Sequence, residues 1–137
     1  MDFTLYNNSR LMSQLILHLI GDYLLQSGWM AANKAKCHFA AFIHALVYST
    51  PFLLLQPSLN AWLVIFGTHL IIDRYSLAKH VAKLKNFLAP RSHWPQNGDL
   101  SHFGYCKKTP DFLAMWLLII TDNTLHLMIN FLSLKYL

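Results

Sequence analysis

Three segments of this chain carry a histidine and an aspartate four residues apart within otherwise apolar runs: His18-Leu-Ile-Gly-Asp22, His69-Leu-Ile-Ile-Asp73 and Asp122-Asn-Thr-Leu-His126. On an α-helix a spacing of four returns to nearly the same face, about 40° off and ~6 Å along the axis. Each pair can therefore aim one imidazole and one carboxylate at a single target. Imidazole nitrogen combined with carboxylate oxygen suits Zn²⁺, Mn²⁺ or Fe²⁺, and the same groups can build a proton relay. An ionised carboxylate in hydrocarbon is costly, roughly several kcal/mol even on lenient insertion scales, so each aspartate needs a proton, an imidazolium or a cation. The expectation is a shared divalent-metal site held by His18, Asp22, His69, Asp73, Asp122 and His126, with zinc first and manganese or iron as alternatives. His44, in a further apolar run, adds a ligand or a catalytic general base. So many ligands exceed one tetrahedral shell, so two ions, or one ion with a second layer of carboxylate–histidine hydrogen bonds, would use them. A proton relay or purely structural hydrogen bonding is the alternative.

The elements that must position these residues follow from composition and periodicity. The chain has 137 residues, 55% hydrophobic and 12% charged, against about 25% charged in an average soluble domain. Mean hydropathy is +0.33. These values predict a single integral membrane domain of the all-α class, a four-span transmembrane helical bundle with spans at about 9–26, 38–55, 60–80 and 110–132. Pro51 should kink the second span near its end. The tail of the third, from Arg74 to Leu88, alternates Lys79, Lys83 and Lys85 with Leu77, Val81, Leu84 and Leu88. It reads as a cytoplasmic amphipathic extension at the headgroups. Pro90, Pro95, Asn97-Gly98 and Gly104 break the periodicity of the next stretch. Thr109 as N-cap and Pro110 at the first helical position open the fourth span.

The formal net charge is +5, and the basic residues cluster in the first and third connections. That pattern matches the positive-inside rule and predicts cytoplasmic basic loops, outer N- and C-termini and a bacterial inner membrane location. The lipid bilayer is the expected partner, anionic headgroups included. No nucleic-acid motif is present. Cys37 and Cys106 fall in or beside the basic regions, where reduced thiols are the default. Met1–Arg10 lacks the pattern of a cleavable signal peptide. With this topology the first and third spans descend and the fourth ascends. The reversed order of Asp122 and His126 then puts every imidazole outward of its carboxylate, consistent with one layered site.

Gln26 lies one turn beyond Asp22 and could contact substrate or orient a ligand. Lys34, Lys36 and Arg74 could hold a phosphate at the cavity mouth. Their ordinary roles, an interfacial glutamine and basic anchors, stand beside these. His80 reads as lying outside the bilayer, and His38, His93 and His102 read as surface residues. Phe42, Tyr48, Trp62, Phe66 and Trp116 read as lipid contact and packing.

The stretch His18-Leu-Ile-Gly-Asp-Tyr-Leu-Leu-Gln26, with Trp29-Met30-Ala31, Asn33-Lys34, His44, His69-Leu-Ile-Ile-Asp73 and Asp122-x3-His126, resembles a family of small polytopic bacterial and phage membrane proteins of uncharacterised function. The resemblance runs from about Leu15 to Leu127 and implies no activity. A looser similarity of pattern links the chain to membrane-bound metal-dependent hydrolases. The expected function is a metal-dependent hydrolase of a lipid or membrane-associated ester or phosphoester, with water as the attacking group. One alternative is a metal-ion or proton transporter, acting as a homo-oligomer. Another is a non-enzymatic factor that modifies the host envelope or excludes other phages.

Overall fold

Each apolar run folds as helix, and Ser27 and Ser58 each open a helix by accepting a freed backbone amide. The computed structural model describes residues 3–95 and 100–137. Among these, all regular structure is helical. Helix α1 spans Phe3–Leu19 and passes into a five-residue π-helical turn, Ile20–Leu24, closed by Leu25 N–H donating to the Ile20 carbonyl at 2.9 Å. Helix α2 (Gly28–Asn33) is capped by Ser27, whose hydroxyl accepts from the Met30 amide. Helix α3 (His38–Ser49) runs into a 3₁₀ turn, Thr50–Leu55, that contains Pro51. Proline lacks the N–H that an α-helix interior needs, so the helix tightens rather than continuing. Helix α4 (Leu59–Arg74) starts at Ser58, which accepts from the Ala61 amide at 3.0 Å.

The expected third span, about 60–80, is two helices. It breaks after Arg74: Tyr75 closes α4, and Ser76 takes a left-handed conformation with φ 50° before α5 (Leu77–Lys85) begins. Helix α6 covers Asp111–Tyr136. The Pro110 carbonyl accepts its first bond, from the Ala114 amide at 3.0 Å. Proline therefore stands at the cap, one place earlier than expected. The Asn97-Gly98 break lies outside the described residues.

The chain divides into two units. The first comprises residues up to Tyr75 together with His126–Leu137; the second is Ser76–Leu125. In the first, Leu17, Tyr48, Phe52 and Ile65 form the buried apolar core, backed by Leu55 and Leu134. In the second, Ala82, Tyr105 and Ala114 pack with Phe103, Leu117 and Leu118. Gly104, at φ 85°, lets its loop approach the α5 backbone where a Cβ would collide. On α5 Ala78 and Ala82 are buried, Lys79 and Lys83 are half-buried, and Val81 and Leu84 are exposed.

Among the described residues, two helical stretches are long and apolar enough to cross a membrane: His38–Leu55 and Asp111–Tyr136. Helix α6 would rise about 39 Å against a hydrocarbon core of about 30 Å. Only 11% of its most apolar window is buried. The run Leu11–Leu24 is apolar but shorter. The all-α class stands; among the described residues two helical stretches, not the four expected, meet the length and hydropathy a crossing requires.

Gly21, in the π turn, sits where a Cβ would lie 2.7 Å from the Tyr48 ring and 2.9 Å from its carbonyl oxygen. Backbone cannot yield as a flexible side chain would. Gly21→Ala should therefore destabilise the chain by about 1–3 kcal/mol, the usual range for overpacking. Thermal unfolding in detergent checks this; an unchanged midpoint would mean that the contact is not tight.

Candidate metal centre

Asp22 comes from the π turn, His44 from α3, and His69 and Asp73 from α4. A π turn widens the helix locally and re-aims the side chains on it, and such turns recur at functional sites. The Nε2 atoms of His44 and His69 are 3.0 Å apart. His44 Nε2 lies 3.2 Å from Asp22 Oδ1 and 3.0 Å from Asp73 Oδ2. His69 Nε2 lies 3.4 Å from Asp22 Oδ1 and 3.1 Å from Asp73 Oδ2. All four residues are buried.

Hydrogen bonding alone does not account for this arrangement. An imidazole nitrogen has one in-plane direction, for one proton or one lone pair. Here three polar atoms crowd His69 Nε2 and four crowd His44 Nε2, Lys34 Nζ being the fourth at 3.3 Å. Asp22 Oδ1, moreover, is buried, and the two ring nitrogens face it at 3.2 and 3.4 Å rather than at a short hydrogen-bond distance. Four ligand atoms about 2.0–2.1 Å from a tetrahedral ion would be about 3.3–3.4 Å from one another. The separations above, 3.0–3.4 Å, are close to that figure. The group Asp22, His44, His69 and Asp73 could thus hold a divalent metal ion.

A second layer surrounds the four. His126 Nδ1 is 3.2 Å from His69 Nδ1, and His126 Nε2 is 3.6 Å from Asp73 Oδ1. His18 Nδ1 is 2.9 Å from the Tyr48 hydroxyl and 3.5 Å from Asp22 Oδ2. The Tyr48 hydroxyl accepts from Asn130 Nδ2 at 2.6 Å. The Tyr48 ring stacks on His69, with centroids 3.5 Å apart and planes 10° apart.

Lys34 reaches further in than a mouth residue would. Its Nζ lies 2.9 Å from Asp73 Oδ2 and 3.3 Å from His44 Nε2, with the side chain 21% exposed. Arg74 is turned elsewhere. It donates to the Ala35 carbonyl at 2.9 Å and lies 3.3 Å from His38 Nε2, so it braces the segment that carries Lys34. Gln26 donates to the Asp22 carbonyl at 2.6 Å, so its amide closes the π turn from below. Asp122 is half-buried in the second unit, on α6 one turn before His126. His38, His80 and His93 are exposed, and His102 bonds to the Thr109 carbonyl.

Tyr48, expected only to pack, and Gln14 and Asn130, with no expected role, are all three buried. A signal existed. Gln14 precedes His18 by four, Tyr48 follows His44 by four, and Asn130 follows His126 by four, so each continues a polar stripe on its own helix.

Neither cysteine belongs to the centre. Cys37 is exposed at the cap of α3, where the backbone amides of Ala40 and Phe39 hold its thiol below the ordinary range. A lowered pKa populates the thiolate at lower pH. In a Cys106→Ser background, iodoacetamide should alkylate Cys37 at half its maximal rate below about pH 8.5, the value for a free thiol. A midpoint at or above that value would rule out stabilisation by the helix amides.

No curated protein and no solved structure gives a significant match to this chain. Residues 10–130 match the family described as protein of unknown function (DUF3307). That match takes in the π turn, α2 to α5 and the polar stripe of α6 as far as Asn130, and the chain accordingly belongs to the DUF3307 family.

Proposed function

We propose that this protein is an integral membrane protein whose Asp22–His44–His69–Asp73 centre binds one divalent metal ion and uses it to hydrolyse a membrane-associated ester or phosphoester. The observation that carries the reading is the convergence of two buried imidazole nitrogens and two buried carboxylate oxygens: the nitrogens are 3.0 Å apart, and each lies 3.0–3.4 Å from both oxygens. Membrane residence draws support from α6 and from the many large apolar side chains left exposed, among them Leu54, Phe112, Trp116, Ile120 and Met128.

In this reading Asp22 and Asp73 supply the negative charge that retains a cation. His44 serves as a ligand rather than a base: its Nε2 faces the centre, and its Nδ1 is buried without a hydrogen bond. Lys34, partly exposed beside the ligands, draws an anionic headgroup or phosphoryl oxygen toward them. A divalent ion would supply Lewis-acid activation of water and of the scissile bond. Four protein ligands close a tetrahedral zinc shell, whereas Mn²⁺ or Fe²⁺ at higher coordination keeps positions for water and substrate. Catalysis therefore favours those ions over zinc here.

A second reading, metal-ion or proton transport, has its own observation. Buried polar groups continue past the centre: His18 and Gln14 on α1, Tyr48 and Ser49 on α3, and His126, Asn130 and Ser133 on α6. A polar column of this length is costly to bury unless it conducts or specifies packing.

Elemental analysis of detergent-purified protein should find one divalent metal per chain, lost in an Asp22→Asn/Asp73→Asn double variant that keeps its helical circular dichroism. Metal-loaded protein should cleave phospholipid or lysophospholipid esters, with activity removed by chelation and restored by Mn²⁺. Wild-type protein that binds no added divalent ion would sink the hydrolase and the metal-transport reading and leave only proton transport. In proteoliposomes, uptake of Mn²⁺ or protons that is abolished by Asn130→Leu, without ester cleavage, would select transport.

A further inference from the structure

His69 is gripped on two sides by residues that no sequence motif assigns to it. Its Nε2 faces the centre, while its Nδ1 faces His126 Nδ1 at 3.2 Å. Two ring nitrogens at that distance share one proton: one carries it, the other accepts it. A neutral imidazole has a single N–H. For His69 Nε2 to ligate a cation, that proton must sit on Nδ1. His69 Nδ1–H then donates, and His126 Nδ1 must accept. Neutral His126 in turn keeps its proton on Nε2. That nitrogen faces Asp73 Oδ1 at 3.6 Å, and the other oxygen of the same carboxylate is the one aimed at the centre. The distance is too long for a good hydrogen bond, but an N–H there is electrostatically favourable beside a carboxylate, and a lone pair is not. One proton assignment thus satisfies both contacts. The reverse assignment puts a proton on His69 Nε2 and blocks ligation.

Tyr48 supplies the second constraint. Its ring stacks on His69 at 3.5 Å, and its hydroxyl is pinned between Asn130 and His18. The ring cannot slide away, because its own helix backbone lies against Gly21. With Tyr48 on its face, the His69 ring cannot turn about its Cβ–Cγ bond without losing the stack.

We infer that His126 and Tyr48 are positioning residues for His69, His126 fixing its tautomer and Tyr48 its ring plane, and that His126 is not itself a ligand. This rests on the metal-centre reading of Asp22, His44, His69 and Asp73. It removes His126 from the ligand set that spacing alone predicts, and assigns it a role at the back of a ligand instead.

The test uses Co²⁺ as the probe on the full chain in detergent. The visible absorption of Co²⁺ reports its coordination number and ligand set. His126→Ala should weaken Co²⁺ binding about 10–100-fold, the usual effect of losing a partner behind a metal-bound histidine, with the spectrum unchanged. His126→Asn, whose Oδ1 can accept the His69 proton, should recover most of the affinity. Tyr48→Phe, which keeps the ring but loses its hydroxyl contacts, should weaken binding less than Tyr48→Ala, which removes the stack. A changed spectrum in His126→Ala would make His126 a ligand and overturn the inference. Unchanged affinity in that variant would overturn it equally. Should His126→Ala fail to fold, ¹⁵N-histidine spectra of Zn²⁺-loaded wild type decide the matter: His69 must be protonated at Nδ1, and Nε2 protonation refutes the assignment. Failure of wild type to bind Co²⁺ sinks the metal centre itself. Loss of binding in Asp22→Asn, with His126→Ala at full affinity, sinks only the positioning role.

Discussion

Asp22 and Asp73 converge on the same pair of imidazoles, with side chains 7% and 3% exposed. Burying one carboxylate without compensation is costly, and a second nearby adds repulsion that the low local dielectric magnifies. Much of the first unit can be understood as the answer to that load. His44 and His69 bring ring nitrogens to the oxygens, and Lys34 brings a positive charge to Asp73. A divalent cation at the same point would offset both carboxylates together, which is why the donor set and the electrostatics lead to one chemistry.

Bringing these groups together involves a close approach of the π turn to α3. Glycine at position 21 allows the backbone of the π turn to meet Tyr48. The π turn itself aims Asp22 inward, and Gln26 stabilises it by bonding the Asp22 carbonyl. In a bilayer, lipid is as apolar as leucine, so small residues and interhelical hydrogen bonds carry more of the association. Ala40, Ala41, Ala45 and Ala61, all fully or nearly fully buried, fit that pattern. The polar stripe and the small-residue contacts are then parts of one device: close approach is needed to satisfy the buried polar groups, and those groups reward the close approach.

The layers around the centre divide the labour by distance. The inner four residues hold donor atoms within reach of one ion. His126 and Tyr48 act on His69, and Asn130 acts on Tyr48. Lys34 sits beside the ligands and Arg74 holds the segment behind it. Membership of a family of unknown function adds no chemistry of its own, so the functional reading rests on this geometry.

From sequence alone the helical class, the apolar character and the three histidine–aspartate pairs were legible, because each depends on spacing within one helix or on composition. Gln14, Tyr48 and Asn130 were legible in principle by the same spacing, yet nothing local marks a tyrosine as a stacking partner rather than packing. The break at Tyr75–Ser76 left no glycine or proline to announce it, since serine takes the left-handed angle there. The inward reach of Lys34 and the outward turn of Arg74 were equally hidden, for two basic residues beside a buried site look alike until their partners are in place. Spacing determined which residues share a helix face. Whether a given imidazole faces an ion, a carboxylate or another ring was decided by separations of about 3 Å between helices, and those distances exist only once α1, α3, α4 and α6 have packed.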